Sequence, residues 1–128
     1  MRVTDLMVGD WVSYCGFYNK VIYIGQKVSM YDGKGTEFTT DPEHIRPIPL
    51  TEEILVKNSN MVECFTGRLY WLDDEEHCAV KPYKSKYLFM YKHGVVDASI
   101  PIEFVHQLQH CMRLFGVEPL LGTNEIKL

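Results

Sequence analysis

IPIEFVHQLQHCMRLFGVE, residues 100–118, is the one long run in this chain with an unambiguous period. At 3.6 residues per turn, Phe104, Val105, Leu108, Cys111, Met112 and Phe115 fall on one side and His106, Gln109, His110 and Arg113 on the other. That is an amphipathic helix with one face made for a core. Pro101 suits its first turn, where a missing N–H costs nothing. Ser99 or Ile100 serves as cap and Gly116 supplies the left-handed residue that ends it, so a helix over 101–115 is expected. Its apolar stripe needs a partner surface, and the residues before it supply one. Met61–Thr66, Leu69–Leu72, His77–Lys81, Lys86–Lys92 and Val95–Ser99 are short runs of strand-forming residues, and Tyr87, Phe89 and Tyr91 alternate onto one side. An antiparallel sheet with one face against the helix buries both stripes.

The other elements of residues 51–128 follow from local chemistry. Thr51 caps a short helix whose first turn carries Glu52 and Glu53, and Asn58 ends it. Asp73-Asp74-Glu75-Glu76 reads as the solvated loop of a hairpin, and Asn124–Leu128 as a last strand on the edge of the sheet.

Residues 1–50 read as a second, all-β unit. Gly9-Asp10 is a turn signal before the extended run WVSYC, which Gly16 closes. Lys20–Ile24 and Lys27–Tyr31 form a hairpin across Gly25-Gln26, and Asp32-Gly33-Lys34-Gly35 turns into the strand TEFTT. Asp41-Pro42-Glu43-His44 suits a single helical turn, and Pro47 and Pro49 mark an edge and then a boundary. The organisation expected is therefore α+β, with a small β unit over 1–50 and an α+β module over 51–128.

Five short strands with tight turns, a one-turn helix before the last and the opening Leu6-x-x-Gly9-Asp10-Trp11-Val12 resemble the small SH3-like β-barrel over about the first 48 residues. Over nearly its whole length the chain also resembles a family of short uncharacterised proteins from Bacteroidales genomes and their prophages. The residues that carry this are the GDWV opening, I-x-P-I-P-L-T-E-E-I-L at Ile45–Leu55 and VHQLQH-x-x-R-L-x-G-x-E at Val105–Glu118. The resemblance implies a phage or mobile-element setting and no mechanism, since fold alone does not fix function.

The 46% hydrophobic and 23% charged fractions are those of a globular chain. No apolar run approaches the ~20 residues of a spanning helix. Arg2, Asp5 and Asp10 stand where a signal peptide needs an apolar core, so a cytoplasmic location is expected. Cys15, Cys64, Cys78 and Cys111 form no CxxC pair and read as four buried thiols rather than a zinc ribbon or disulfides. The net charge of −4 argues against nonspecific nucleic-acid binding.

Three clusters carry candidate chemistry. Among Trp11, Tyr14, Phe17, Tyr18 and Tyr31, most belong to the core. Phe17 and Tyr18, placed in the loop after Gly16, are the pair to leave exposed as a recognition surface. Lys81, Tyr83, Lys84, Lys86 and Tyr87 interleave basic and aromatic side chains, the mix that tracks phosphates and stacks on bases, and equally that of a half-buried strand with snorkelling lysines. His106 and His110 have the i, i+4 spacing of the HExxH zinc peptidases, but Gln107 stands where that motif needs a carboxylate base. A bare metal site would need a third ligand from Glu103, Glu118, His93 or His77. Otherwise both histidines and Gln109 pack at the edge of the sheet. No phosphate loop or nucleophile elbow is present, and no cofactor is expected.

The expected function is a non-enzymatic protein-binding or adaptor module whose partner is another protein. The alternative is a nucleic-acid-binding accessory protein using Lys81, Lys84, Lys86, Tyr83 and Tyr87. A third reading is a metal-dependent enzyme centred on His106 and His110, and the polar face of His106, Gln109, His110 and Arg113 is either buried against another segment or left open to a partner.

Overall fold

The structure, a computed structural model of the chain, describes residues 1–65, 67–117 and 126–128. Two antiparallel sheets carry most of its regular structure. Contacts divide the chain into two compact units, Met1–Pro49 with Phe104–His106, and Leu50–Glu103 with Gln107–Leu128.

The first unit is a four-stranded sheet in the order β1 (Trp11–Tyr14), β2 (Phe17–Ile24), β3 (Val28–Tyr31), β4 (Glu37–Thr40). Its start is fixed by the Gly9-Asp10 turn. Gly9 sits at φ 94°, and the fully buried Asp10 carboxylate accepts the Met7 N–H at 2.7 Å. The hairpins then impose strict alternation. Val12, Val21, Val28 and Met30 point to one side and form a core with Leu6 and Ile45, against which Tyr14, Ile24 and Phe38 pack. A bulge between Val21 and Tyr23 interrupts the period of two, which is why Ile22 and Tyr23 are both exposed. A 3₁₀ turn, Pro42–His44, precedes Arg46, whose backbone makes an isolated bridge to Ser13 on the free edge of β1. Among the described residues no ladder joins β4 back to that edge. The closed barrel expected from the sequence therefore reduces to an open antiparallel sheet.

The second unit begins with α1 (Glu52–Lys57). The Thr51 hydroxyl accepts the Ile54 N–H at 3.3 Å, and the helix stops at Asn58. The sheet follows in sequence order, β5 (Asn60–Cys64), β6 (Gly67–Trp71), β7 (Cys78–Tyr83), β8 (Lys86–His93) and β9 (Val96–Ile102). Tyr70, Val80, Phe89 and Ile102 share its buried side, and Phe115 stacks on Phe89 and Tyr91 at 5.8 and 4.6 Å between ring centroids. The loop at 73–77 is more than solvated polar chain. The Asp73 carboxylate accepts the N–H groups of His77 and Cys78, both at 3.0 to 3.1 Å for its nearer oxygen, and so builds the turn.

Helix α2 runs from Val105 to Leu114, shorter than the expected 101–115. Pro101 does not open it. Ala98, Ile100 and Ile102 alternate inward, their ladder with β8 continues to Tyr87↔Ile102, and Pro101 lies outward on the edge strand, where a missing N–H is tolerated. Gln107 has a structural task, since its side-chain oxygen accepts the Glu103 N–H at 2.7 Å and so holds the turn before the helix. At the other end Gly116, at φ 66°, donates to the Arg113 carbonyl, and the Val117 N–H donates to that of Met112 at 2.8 Å. This is the Schellman ending.

The thiols depart from expectation. Cys78 and Cys111 are buried but Cys15 and Cys64 are exposed, because both occupy hairpin ends where neither sheet face covers them. Burial raises the Cys111 thiol to about 11, and burial, with Asp73 and Cys111 nearby, raises Cys78 further. Of the last expected strand, Asn124 and Glu125 lie outside the described residues, and Ile126–Leu128 carry no strand. Both backbone groups of Lys127 bond to the Asn58 side chain at 2.7 Å. No helix among the described residues is long and apolar enough to cross a membrane.

Candidate functional site

The tightest turn of the first unit sets up its most distinctive surface. β1 and β2 are joined by only Cys15 and Gly16, both at positive φ (50° and 81°), so Tyr14 and Phe17 pair directly across the ladder. Phe17 and Tyr18 are thus the first residues of β2 and not part of a loop. Tyr14, Phe17 and Asn19 alternate onto the core-facing side of the sheet, and so does Phe38 of β4, opposite Met30. The core ends at Val12 and Met30, Tyr14 and Phe38 pack half-buried against it, and Phe17 beyond them is left exposed. Phe17 is 73% exposed and Tyr18 49%, while Tyr14 and Phe38 meet at 5.1 Å with their planes tilted by 40°.

The result is a cleft of about 590 Å³ lined by Tyr14, Cys15, Phe17, Tyr18, Asn19, Asp32, Lys34 and Phe38. That size lies within the ~300–1,000 Å³ of ordinary ligand clefts. Its far wall is the β3–β4 turn, which is built on a carboxylate. Asp32 Oδ1 accepts the N–H of Lys34 at 2.7 Å and of Thr36 at 3.1 Å, while Gly33 and Gly35 take positive φ. The Lys34 N–H, followed by that of Thr36, holds the Asp32 carboxyl below the usual carboxylate range, so it stays ionised through neutral pH. Beneath the rings the buried Asn19 amide donates to the Phe17 carbonyl at 3.0 Å, which fixes the strand end that carries them.

The basic and aromatic residues of the second unit are arranged differently. Lys84 and Ser85 form the β7–β8 turn, and Tyr83, Lys84, Lys86 and Tyr87 line a shallow depression of about 420 Å³ with Leu50, Pro82 and Ser85. The ladder puts Lys81, Tyr83 and Lys86 on one side of the sheet and Tyr87 on the other. Their charges meet partners locally. Lys86 Nζ lies 3.3 Å from a Glu103 oxygen, and Lys84 Nζ stands 5.2 Å from the centre of the Tyr83 ring.

The hydrophilic side of α2, which the sequence left as either packed against another segment or open to a partner, is mostly packed. His106 and Gln109 are buried, His110 is half-buried and Arg113 is exposed. His106 stacks on Phe104 at 5.9 Å. Among the described residues no group of three His, Cys, Asp or Glu side chains is placed to hold a metal ion. Glu118, one of the candidate third ligands, lies outside them.

The sequence singled out Phe17 and Tyr18 and counted Tyr14 with the aromatic set, but it passed over Phe38, Asp32 and Lys34 as cleft residues. The available signal was the Asp32-Gly-x-Gly turn, which marks a side chain that organises a loop at the end of the same sheet. No family model matches the chain, and no curated protein or solved structure matches it.

Proposed function

We propose that this chain is a non-enzymatic binding or adaptor protein whose partner is another protein, held at the cleft of Tyr14, Phe17, Tyr18 and Phe38. One observation carries the reading. A large ring that is 73% exposed, in a cleft it shares with the rings of Tyr14 and Phe38, gains little for the fold and is what a partner would cover. The order of β1–β4, the 3₁₀ turn and the Arg46 bridge to β1 support an SH3-like arrangement of the first unit. The resemblance to Bacteroidales and prophage proteins supports a phage-associated role in the cytoplasm of such a host.

The test is capture of a partner from the lysate of a Bacteroidales host, with the wild-type chain and with Phe17→Ala and Tyr18→Ala. Direct binding of the captured protein that falls with both substitutions supports the reading, and capture indifferent to them overturns it. The nucleic-acid alternative has less behind it, since Lys86 and Lys84 are engaged within the chain. Fluorescence polarisation with single-stranded oligonucleotides tests that alternative directly.

A further inference from the structure

The geometry points to an arginine side chain of the partner protein as the group this cleft takes, its guanidinium laid on the exposed rings and its charge met by Asp32. The inference rests on the binding reading above and adds the chemistry of the ligand. Aromatic faces carry the negative end of a quadrupole, and a cation over them is attracted the more strongly as water is excluded. The rings of Tyr14, Phe17 and Phe38 share the core-facing side of the sheet, and the ionised Asp32 and Lys34 line the same cleft. A neutral apolar ligand would strip water from Asp32 and return nothing to it. An anion would face the π clouds and the carboxylate together. A ligand with a flat or apolar body and a positive charge meets both the rings and the carboxylate, with Lys34 as the one opposing wall.

Arginine fits that description better than lysine. Its guanidinium is planar and weakly hydrated, stacks on an aromatic face and still presents N–H donors at its edge. A lysine ammonium entering an open cleft would give up a stronger hydration shell for a point contact. Lys34, on the rim, bears on the same account. Its backbone N–H organises the Asp32 loop, while its side-chain charge competes for the carboxylate that the ligand needs. Neutralising Lys34 should therefore tighten binding, the opposite of what an anion site would show.

The test uses the full chain, labelled for NMR, titrated with acetyl-Gly-Arg-Gly amide, its citrulline counterpart and acetyl-Gly-Glu-Gly amide. Citrulline keeps the shape of arginine and removes the charge. The arginine peptide is expected to shift the ring resonances of Tyr14, Phe17 and Phe38 and to bind roughly tenfold more tightly than the citrulline peptide. Asp32→Asn keeps an oxygen that can accept the Lys34 and Thr36 N–H groups, so the loop holds, and it should erase that preference. Lys34→Gln should strengthen arginine binding about two- to threefold. Equal binding of citrulline and arginine, preference for the glutamate peptide, or no shift at the cleft would each overturn the inference. Partner capture that still depends on Phe17 and Tyr18 would then leave the binding reading standing, whereas capture independent of both would remove that reading as well.

Discussion

The β1–β2 and β7–β8 hairpins both turn through two residues at positive φ, Cys15-Gly16 at 50° and 81° and Lys84-Ser85 at 45° and 60°. Both set aromatic rings beside lysines at the end of an antiparallel sheet. In the second, the nearest opposite charge and the nearest ring face already occupy the lysines, through Glu103 and Tyr83. In the first, the rings of Tyr14, Phe17 and Phe38 and the side chain of Asp32 line a cleft that no described residue fills. Turns of the same length and handedness therefore border a cleft of about 590 Å³ in one place and, in the other, a shallow depression of about 420 Å³ whose lysines have partners within the chain. What separates them is whether the charges beside the rings already meet a partner, as Lys86 does at Glu103, and not the length of the turn.

The sharpest way to break this contrast is through the rings themselves. Phe89 is fully buried on the ladder with Val80, so Phe89→Ala should lower stability by ~3–5 kcal/mol in denaturant melts. Phe17→Ala should cost less than ~1 kcal/mol, because a ring already in water loses little when removed. A large loss on Phe17→Ala would make Phe17 a core residue and close the cleft as a site.

The thiols divide in the same way. Cys15 at the cleft and Cys64 should react with a thiol reagent in the native protein, and Cys78 and Cys111 only after unfolding. Because burial raises the Cys111 pKa from 9.0 to about 11, the unfolded chain releases that proton first as pH rises. From Cys111 alone stability should be fully present below about pH 9 and fall by ~2 kcal/mol by pH 11, and Cys78, raised further, adds to the same loss. Replacing both Cys78 and Cys111 with Ala should flatten that slope, and a melting temperature independent of pH across this window would contradict the burial of both.

The turns give the smallest effects. Gly16→Ala should destabilise by about 1 kcal/mol, since alanine resists φ 81° although a Cβ there meets no other atom. Lys84→Asn with Ser85→Gly should stabilise by about 1 kcal/mol, because Asn-Gly favours such a turn, and should leave partner binding unchanged. A loss of binding from that pair would move the recognition surface to the second hairpin.

The sequence made most of this framework legible where a single residue dictates a local geometry. Gly9-Asp10 opens β1, Thr51 caps α1, and Gly116 ends α2 by the expected left-handed residue. Legibility failed where two local rules applied to one residue. Pro101 satisfies a helix's first turn and an outward place on an edge strand alike, and the ladder to β8 decided for the strand. The wheel around α2 likewise separated polar from apolar residues correctly but not buried from exposed ones, since His106 and Gln109 are covered. The cleft was half legible. Phe17 and Tyr18 stand out beside Gly16, but Phe38 and Asp32 reach them only through the pairing of β2, β3 and β4, which no local pattern encodes.

The most direct test of the cleft as a binding surface is a calorimetric titration of a captured partner protein into the wild-type chain and into Phe17→Ala. The account predicts a dissociation constant at least about thirtyfold weaker for the variant, with its melting temperature nearly unchanged. An unchanged dissociation constant would contradict it.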